Sequence, residues 1–159
     1  MGGNVERSKG YRLKTLRMHP EEIAVIDRAC QVLEIDRATL LTDAAHFEAT
    51  RLGIRFSSEP VPPLTKSWPY IPDRGDEPTG VRVTITMNRL MSELVARAAQ
   101  HTHTSEPLFI IGSALTYIGR VQKTFTGSAE DTPEEAREIR RKLEAIKVPP
   151  RYQYRRGKP

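Results

Sequence analysis

Residues 13–52 and 82–121 align without a gap at an offset of 69 positions. Seven aligned pairs are identical: Thr15/Thr84, Met18/Met87, Arg28/Arg97, Ala29/Ala98, Gln31/Gln100, Ala45/Ala114 and Arg51/Arg120. The pattern matches better than the identities do. Each stretch runs as a short strand, a helix, a turn and a second helix. A unit of about 40 residues cannot bury its apolar faces alone, so neighbouring copies are expected to complete one core. One chain should therefore close its own core and be a folded monomer, associating with further copies, if at all, on a shared partner.

The strands are legible from alternation. Val83, Ile85 and Met87 alternate with Arg82, Thr84 and Thr86. In the first copy Leu16 and Met18 fall on one face, with Thr15 and Arg17 on the other. A period of two marks a half-buried strand. A helix follows each strand. His19-Pro20-Glu21-Glu22 puts proline and acids in a first turn, and Ile23, Ile26, Ala29, Cys30 and Leu33 form an apolar stripe at helical spacing. In the second copy Asn88 is the expected cap, with Met91, Leu94, Val95 and Ala98 on the face. Asp36 and Ser105 are the expected caps of the second helices. Their stripes are Leu40, Leu41, Ala44, Ala45 and Ala49, and Phe109, Ile110, Ala114, Tyr117 and Ile118.

Residues 54–80 join the copies and hold six prolines, a density at which no regular element survives. Ile54, Phe56, Val61, Leu64, Trp68, Tyr70 and Ile71 make the stretch too apolar for a free tether, so it is expected to pack across the core. Thr132-Pro133-Glu134-Glu135 is a capping-box signature. It opens a charged helix expected to reach about Lys147, where Pro149 and Pro150 stop it. The division is a flexible arm over 1–10, a double unit over 11–125 (11–53, connector 54–80, 81–125), and a C-terminal helix and basic tail over 126–159.

Charge narrows the partner. Lysine and arginine number 25 against 20 acids, a net +5. The surplus is localised: Arg7, Lys9, Arg12, Lys14 and Arg17 precede the first helix, and Lys147, Arg151, Arg155, Arg156 and Lys158 crowd the C-terminus. A basic concentration of this kind fits a polyanion. Cys30 is the single cysteine, so no disulfide forms within the chain, which fits a reducing cytoplasm. The N-terminus has no apolar core of a signal peptide, and no apolar run has membrane-spanning length. His101 and His103 resemble a metal pair, but a surface turn accounts for them better. No glycine-rich phosphate loop and no nucleophile with a base is legible, so neither catalysis nor a metal or other cofactor is expected.

Each copy resembles the ribbon-helix-helix DNA-binding unit of Arc- and MetJ-type repressors. The first, TLRMHPEEIAVIDRACQVLEIDRATLLTDAAHFEA, also resembles the DNA-binding half of antitoxins that neutralise acetyltransferase toxins. The joining of two units in one chain, with Ser67-Trp68-Pro69-Tyr70-Ile71-Pro72 between them, is similar to single-chain double ribbon-helix-helix proteins of agrobacterial T-DNA border and overdrive complexes. The resemblance implies a mainly α fold with a two-stranded antiparallel ribbon, an intramolecular pseudo-dimer, whose ribbon enters the major groove of double-stranded DNA.

By the same resemblance, Thr15, Arg17, Arg82, Thr84 and Thr86 are the expected base readers. Arginine takes guanine O6 and N7 together, and threonine meets a base edge or a thymine methyl. An exposed polar strand without a partner is the plainer alternative. Arg37 and Ser105, at the starts of the second helices, occupy the family's phosphate-anchoring position. Simple helix capping explains those positions equally well, and Asp36 and Glu106 beside them repel phosphate. Arg12 and Lys14 next to the ribbon, and Arg155 and Arg156 in the tail, are further phosphate candidates; the tail reads equally as a solvated end. Leu13 stands where the family carries a polar residue, so its pairing partner is expected off the DNA.

The implied function is sequence-specific binding of double-stranded DNA in a bacterial cytoplasm, as an accessory factor of plasmid transfer or mobilisation or as a repressor. Two unequal strands free such a reader from palindromes. The alternative is an antitoxin that binds DNA and masks a toxin. In the first case other proteins of a DNA-transfer complex are possible partners; in the second, the toxin.

Overall fold

Two eight-residue strands and five helices make up the described part of the chain. A computed structural model describes residues 11–55 and 80–148. The order is β1 (Tyr11–Met18), α1 (Pro20–Leu33), α2 (Arg37–Arg51), β2 (Val81–Asn88), α3 (Arg89–Thr102), α4 (Glu106–Thr124) and α5 (Pro133–Glu144). The expected arm, most of the connector with Phe56 to Ile71, and the tail with Arg155 and Arg156 lie outside the described residues. Ile54, at the connector's start, is buried.

β1 and β2 pair antiparallel, Tyr11 opposite Asn88 through Met18 opposite Val81. Leu16, Met18, Val83, Ile85 and Met87 are buried beneath the ribbon, and the alternate residues are exposed. Each strand starts earlier than its apolar alternation. Tyr11, Arg12 and Val81 are exposed and extend the ladder by backbone pairing, which leaves no periodic mark in a sequence.

Helix starts follow local chemistry. The Glu22 carboxylate accepts the His19 backbone N–H at 2.7 Å. Asp36 accepts from Thr39 N–H at 2.6 Å, Asn88 from Met91 N–H at 2.8 Å and Ser105 from Leu108 N–H at 3.3 Å. Thr132 and Glu135 close the reciprocal capping box. Each cap satisfies an N–H that the helix itself leaves open. At the other end, α1 and α3 both close through a left-handed residue, Glu34 (φ 56°) and His103 (φ 58°). These two positions are 69 apart, and neither is the glycine that such a conformation favours.

α4 is the centre of the core. It packs on the other four helices and on β1. Nine of its residues, including every one from Phe109 to Thr116, are buried, so an apolar stripe understates it: a helix covered on most sides is apolar on most sides. In α1 the buried apolar residues are Val25, Ile26, Ala29, Cys30 and Val32, whereas the expected Ile23 and Leu33 are only half-buried. The stripe is rotated because α2, α4 and α5 pack against α1.

α5 ends at Glu144, short of the expected Lys147. The Gln122 side-chain amide donates to the carbonyls of Leu143 (2.8 Å) and Ile146 (2.7 Å). That clasp from α4 satisfies the helix end, and Leu143, Ile146 and Val148 then turn into the core.

Candidate nucleic-acid interface

The outward face of the ribbon is built from cross-strand pairs. Arg17 faces Arg82, Thr15 faces Thr84, Leu13 faces Thr86 and Tyr11 faces Asn88. All eight are exposed. The five expected base readers therefore lie together on one surface. Because the side-chain period of a strand is two, that surface is the necessary complement of the buried row from Leu16 to Met87. The pairing partner of Leu13 is Thr86, itself a candidate reader, and both share the exposed face.

The phosphate candidates are placed differently. Lys14 lies on the inward side of β1, mostly covered, with its ammonium 2.5 Å from the Glu106 carboxylate. The pair ties the strand to the first turn of α4, and Glu106 thereby has a cation of its own. Arg37 forms a two-pronged pair with Asp27, Nε to Oδ1 at 2.9 Å and one terminal nitrogen to Oδ2 at 2.8 Å. The hydrogen bond to Asp27 raises the Arg37 pKa further. Both cations therefore brace the fold: Lys14 joins β1 to α4, and Arg37 joins α2 to α1. The sequence offered no sign of the Lys14 pairing, since Lys14 and Glu106 are 92 positions apart.

Ser105 caps α4 through its hydroxyl. Asp36 caps α2, and the Thr39 N–H it accepts holds its carboxyl below the usual range. Arg12 is exposed at the outer end of β1, within 3.5 Å of the Tyr11 carbonyl.

A charged cluster lies away from the ribbon. Glu48 of α2 is fully buried. One carboxylate oxygen takes Arg120 Nε at 2.8 Å, and the other takes Arg51 Nε at 3.0 Å. Arg51 and Arg120 stand 69 positions apart, so one acid holds both members of that aligned pair where α2 packs on α4. Sequence inspection missed Glu48 because it interrupts an apolar stripe; its place one position before Ala49 of that stripe was the available signal.

Burial, and then the Asp27 carboxylate, push the Cys30 thiol up, away from the thiolate that nucleophilic or metal chemistry requires. His101 is buried in the last turn of α3, and His103 is the exposed left-handed residue after it. No group of three or more histidine, cysteine or acidic residues suited to a metal occurs among the described residues. No described helix is long and apolar enough to cross a membrane.

Compared with protein-family models, curated proteins and solved structures, the chain matches none of them.

Proposed function

We propose that this chain is a sequence-specific reader of double-stranded DNA in which one chain supplies both halves of a ribbon-helix-helix fold. One observation carries the reading. Thr15 and Thr84, an identical pair in the alignment at offset 69, stand directly opposite each other in the ribbon. In an antiparallel pair arranged about a local two-fold axis, equivalent residues face each other only where the axis passes. The register is therefore the one that two equivalent strands adopt in forming a symmetric ribbon.

Further support comes from the exposed face. It carries arginine and threonine, side chains suited to base edges, and no acid. Arg17 and Arg82 are directly opposed across the ribbon, and each guanidinium can take guanine O6 and N7 together. A two-stranded ribbon also fits the major groove, about 12 Å wide. The biological setting that we propose is plasmid transfer or mobilisation, or repression of transcription.

The test is binding of the full chain and its variants to selected and scrambled duplexes over a salt series. Arg17→Ala and Arg82→Ala should each cost about 1–3 kcal/mol on the selected site and much less on scrambled DNA. Equal losses on both would refute base reading. A wild-type protein showing only weak, salt-erased binding would refute DNA recognition altogether.

A further inference from the structure

The two ends of the ribbon differ in chemistry. At one end Arg17 and Arg82 stand opposite each other, one from each strand. Four residues along β1, about 13 Å away at 3.3 Å per residue, Leu13 faces Thr86, and Tyr11 lies beyond it. Leu13 and Tyr11 are 61 % and 54 % exposed, among the most exposed large apolar residues described. Asn88, opposite Tyr11, is committed to capping α3. The outward face thus runs from an end with an arginine from each strand, through the central threonines, to an end with Leu13 and Tyr11.

This polarity arises because the alignment crosses over in the ribbon. Position 17 corresponds to 86, an arginine against a threonine; position 13 corresponds to 82, a leucine against an arginine. On the outward face each strand carries one arginine, Arg17 and Arg82, at different aligned positions, and the antiparallel register brings both to the same end.

We infer that the ribbon reads an asymmetric duplex in one orientation, contacting guanine through Arg17 and Arg82 at one end and thymine methyls through Leu13 and Tyr11 at the other. The inference rests on the DNA-reading proposal and adds the polarity of the site and its base classes. An arginine fork matches guanine O6 and N7, and an apolar side chain matches the thymine methyl. At about 3.4 Å per base step, the two ends fall about four steps apart.

Gly80 is the positioning residue of the cationic end. A Cβ at Gly80 would lie 2.0 Å from Arg17 Cγ. That carbon is close to the root of the side chain, so any larger residue at 80 displaces Arg17 from its course over the start of β2. Gly80→Ala keeps the arginine and its charge but moves it.

The experiment is selection from a randomised duplex pool with the full chain, followed by sequencing, with helical circular dichroism checked for every variant. The wild type should enrich a sequence unlike its own reverse complement, with guanine at one end and thymine at the other. The double variant Leu13→Arg with Arg17→Thr gives both strands the same arginine-threonine-threonine face, and it should enrich a near-palindrome. Gly80→Ala should lower discrimination for guanine about tenfold, at one end only, with the thymine end unchanged. A palindromic wild-type consensus overturns the polarity and leaves DNA reading standing. A double variant that keeps the asymmetric consensus overturns the residue assignment. Enrichment of no duplex overturns both the polarity and the DNA reading beneath it.

Discussion

The stretches 11–51 and 81–124 run through the same order of elements, and their first helices have the same length of 14 residues, yet they do different work. In the first, the second helix is short and amphipathic and buries a carboxylate. In the second, it is 19 residues long, covered on most sides, and touches every other helix. The two stretches, alike in the order of their elements, play different parts: one carries the centre of the core, and the other closes over it and anchors it with charge. Two separate chains of one sequence cannot divide labour in this way, because any residue suited to one role would appear in both.

The contrast can be broken most severely in the core. Leu40 and Phe109 occupy aligned positions, and both are fully buried. Phe109→Ala should cost about 3–5 kcal/mol, and Leu40→Ala should lie nearer the lower end of its range of about 2–5. Chemical denaturation of both variants measures this. A costlier Leu40→Ala would mean that α4 is not the centre of the core.

Next in size is the charged cluster. Glu48 is aligned with Tyr117, which is half-buried and packs its ring against Phe47 at 5.4 Å. Glu48→Ala leaves Arg51 and Arg120 facing each other without their acid. Complete burial of such a cluster would cost 3–5 kcal/mol; the arginines are about one-third exposed, so solvent reduces this to about 2–3. Tyr117→Ala, which loses a half-covered ring, should cost about 1–2. The equivalence of the two helices would be restored if both variants unfolded at the same denaturant concentration.

A smaller effect distinguishes the strands. Lys14 is aligned with Val83, and both lie on the inward side of the ribbon. Val83→Ala should cost about 1.5–2 kcal/mol from lost apolar burial, independent of salt. Lys14→Ala should cost about 1 kcal/mol, shrinking as salt screens the pair with Glu106. Thermal melts at low and high salt check the difference. A Lys14→Ala penalty that persists in high salt would assign the residue to packing instead.

The smallest contrast is in acid. Asp36 and Ser105 are aligned caps, and only Asp36 titrates. Its carboxyl is lowered by the Thr39 N–H in the folded state. Its contribution is thus complete above the ordinary aspartate range and is lost as pH falls through the lowered folded value. Asp36→Ser should narrow its stability gap from the wild type as the solution is acidified through that window. A gap constant with pH would show that the carboxylate's charge adds nothing to the cap.

Much of this arrangement is written locally. Asp36, Asn88, Ser105 and the Thr132/Glu135 box are short-range devices, each completed within three residues, and each caps the helix expected of it. The face of each strand follows from alternation, so the exposed row with Thr15, Arg17, Arg82, Thr84 and Thr86 was legible before any fold was known. The rotation of the α1 stripe, the early stop of α5 and the burial of α4 on most sides were not, because each depends on what lies alongside.

By itself, then, the sequence determined which segments are strands and helices, where the helices start, and which side chains share a strand face. The reason is physical: periods of 2 and 3.6 residues and cap hydrogen bonds act within a few positions. Only the tertiary structure decided the pairings. It set Arg17 against Arg82 and Leu13 against Thr86, gave Lys14 to Glu106 and Arg37 to Asp27, and placed Glu48 between Arg51 and Arg120. Those choices depend on the register of the ribbon and on how the helices cross beneath it, and long-range packing leaves no period in a sequence.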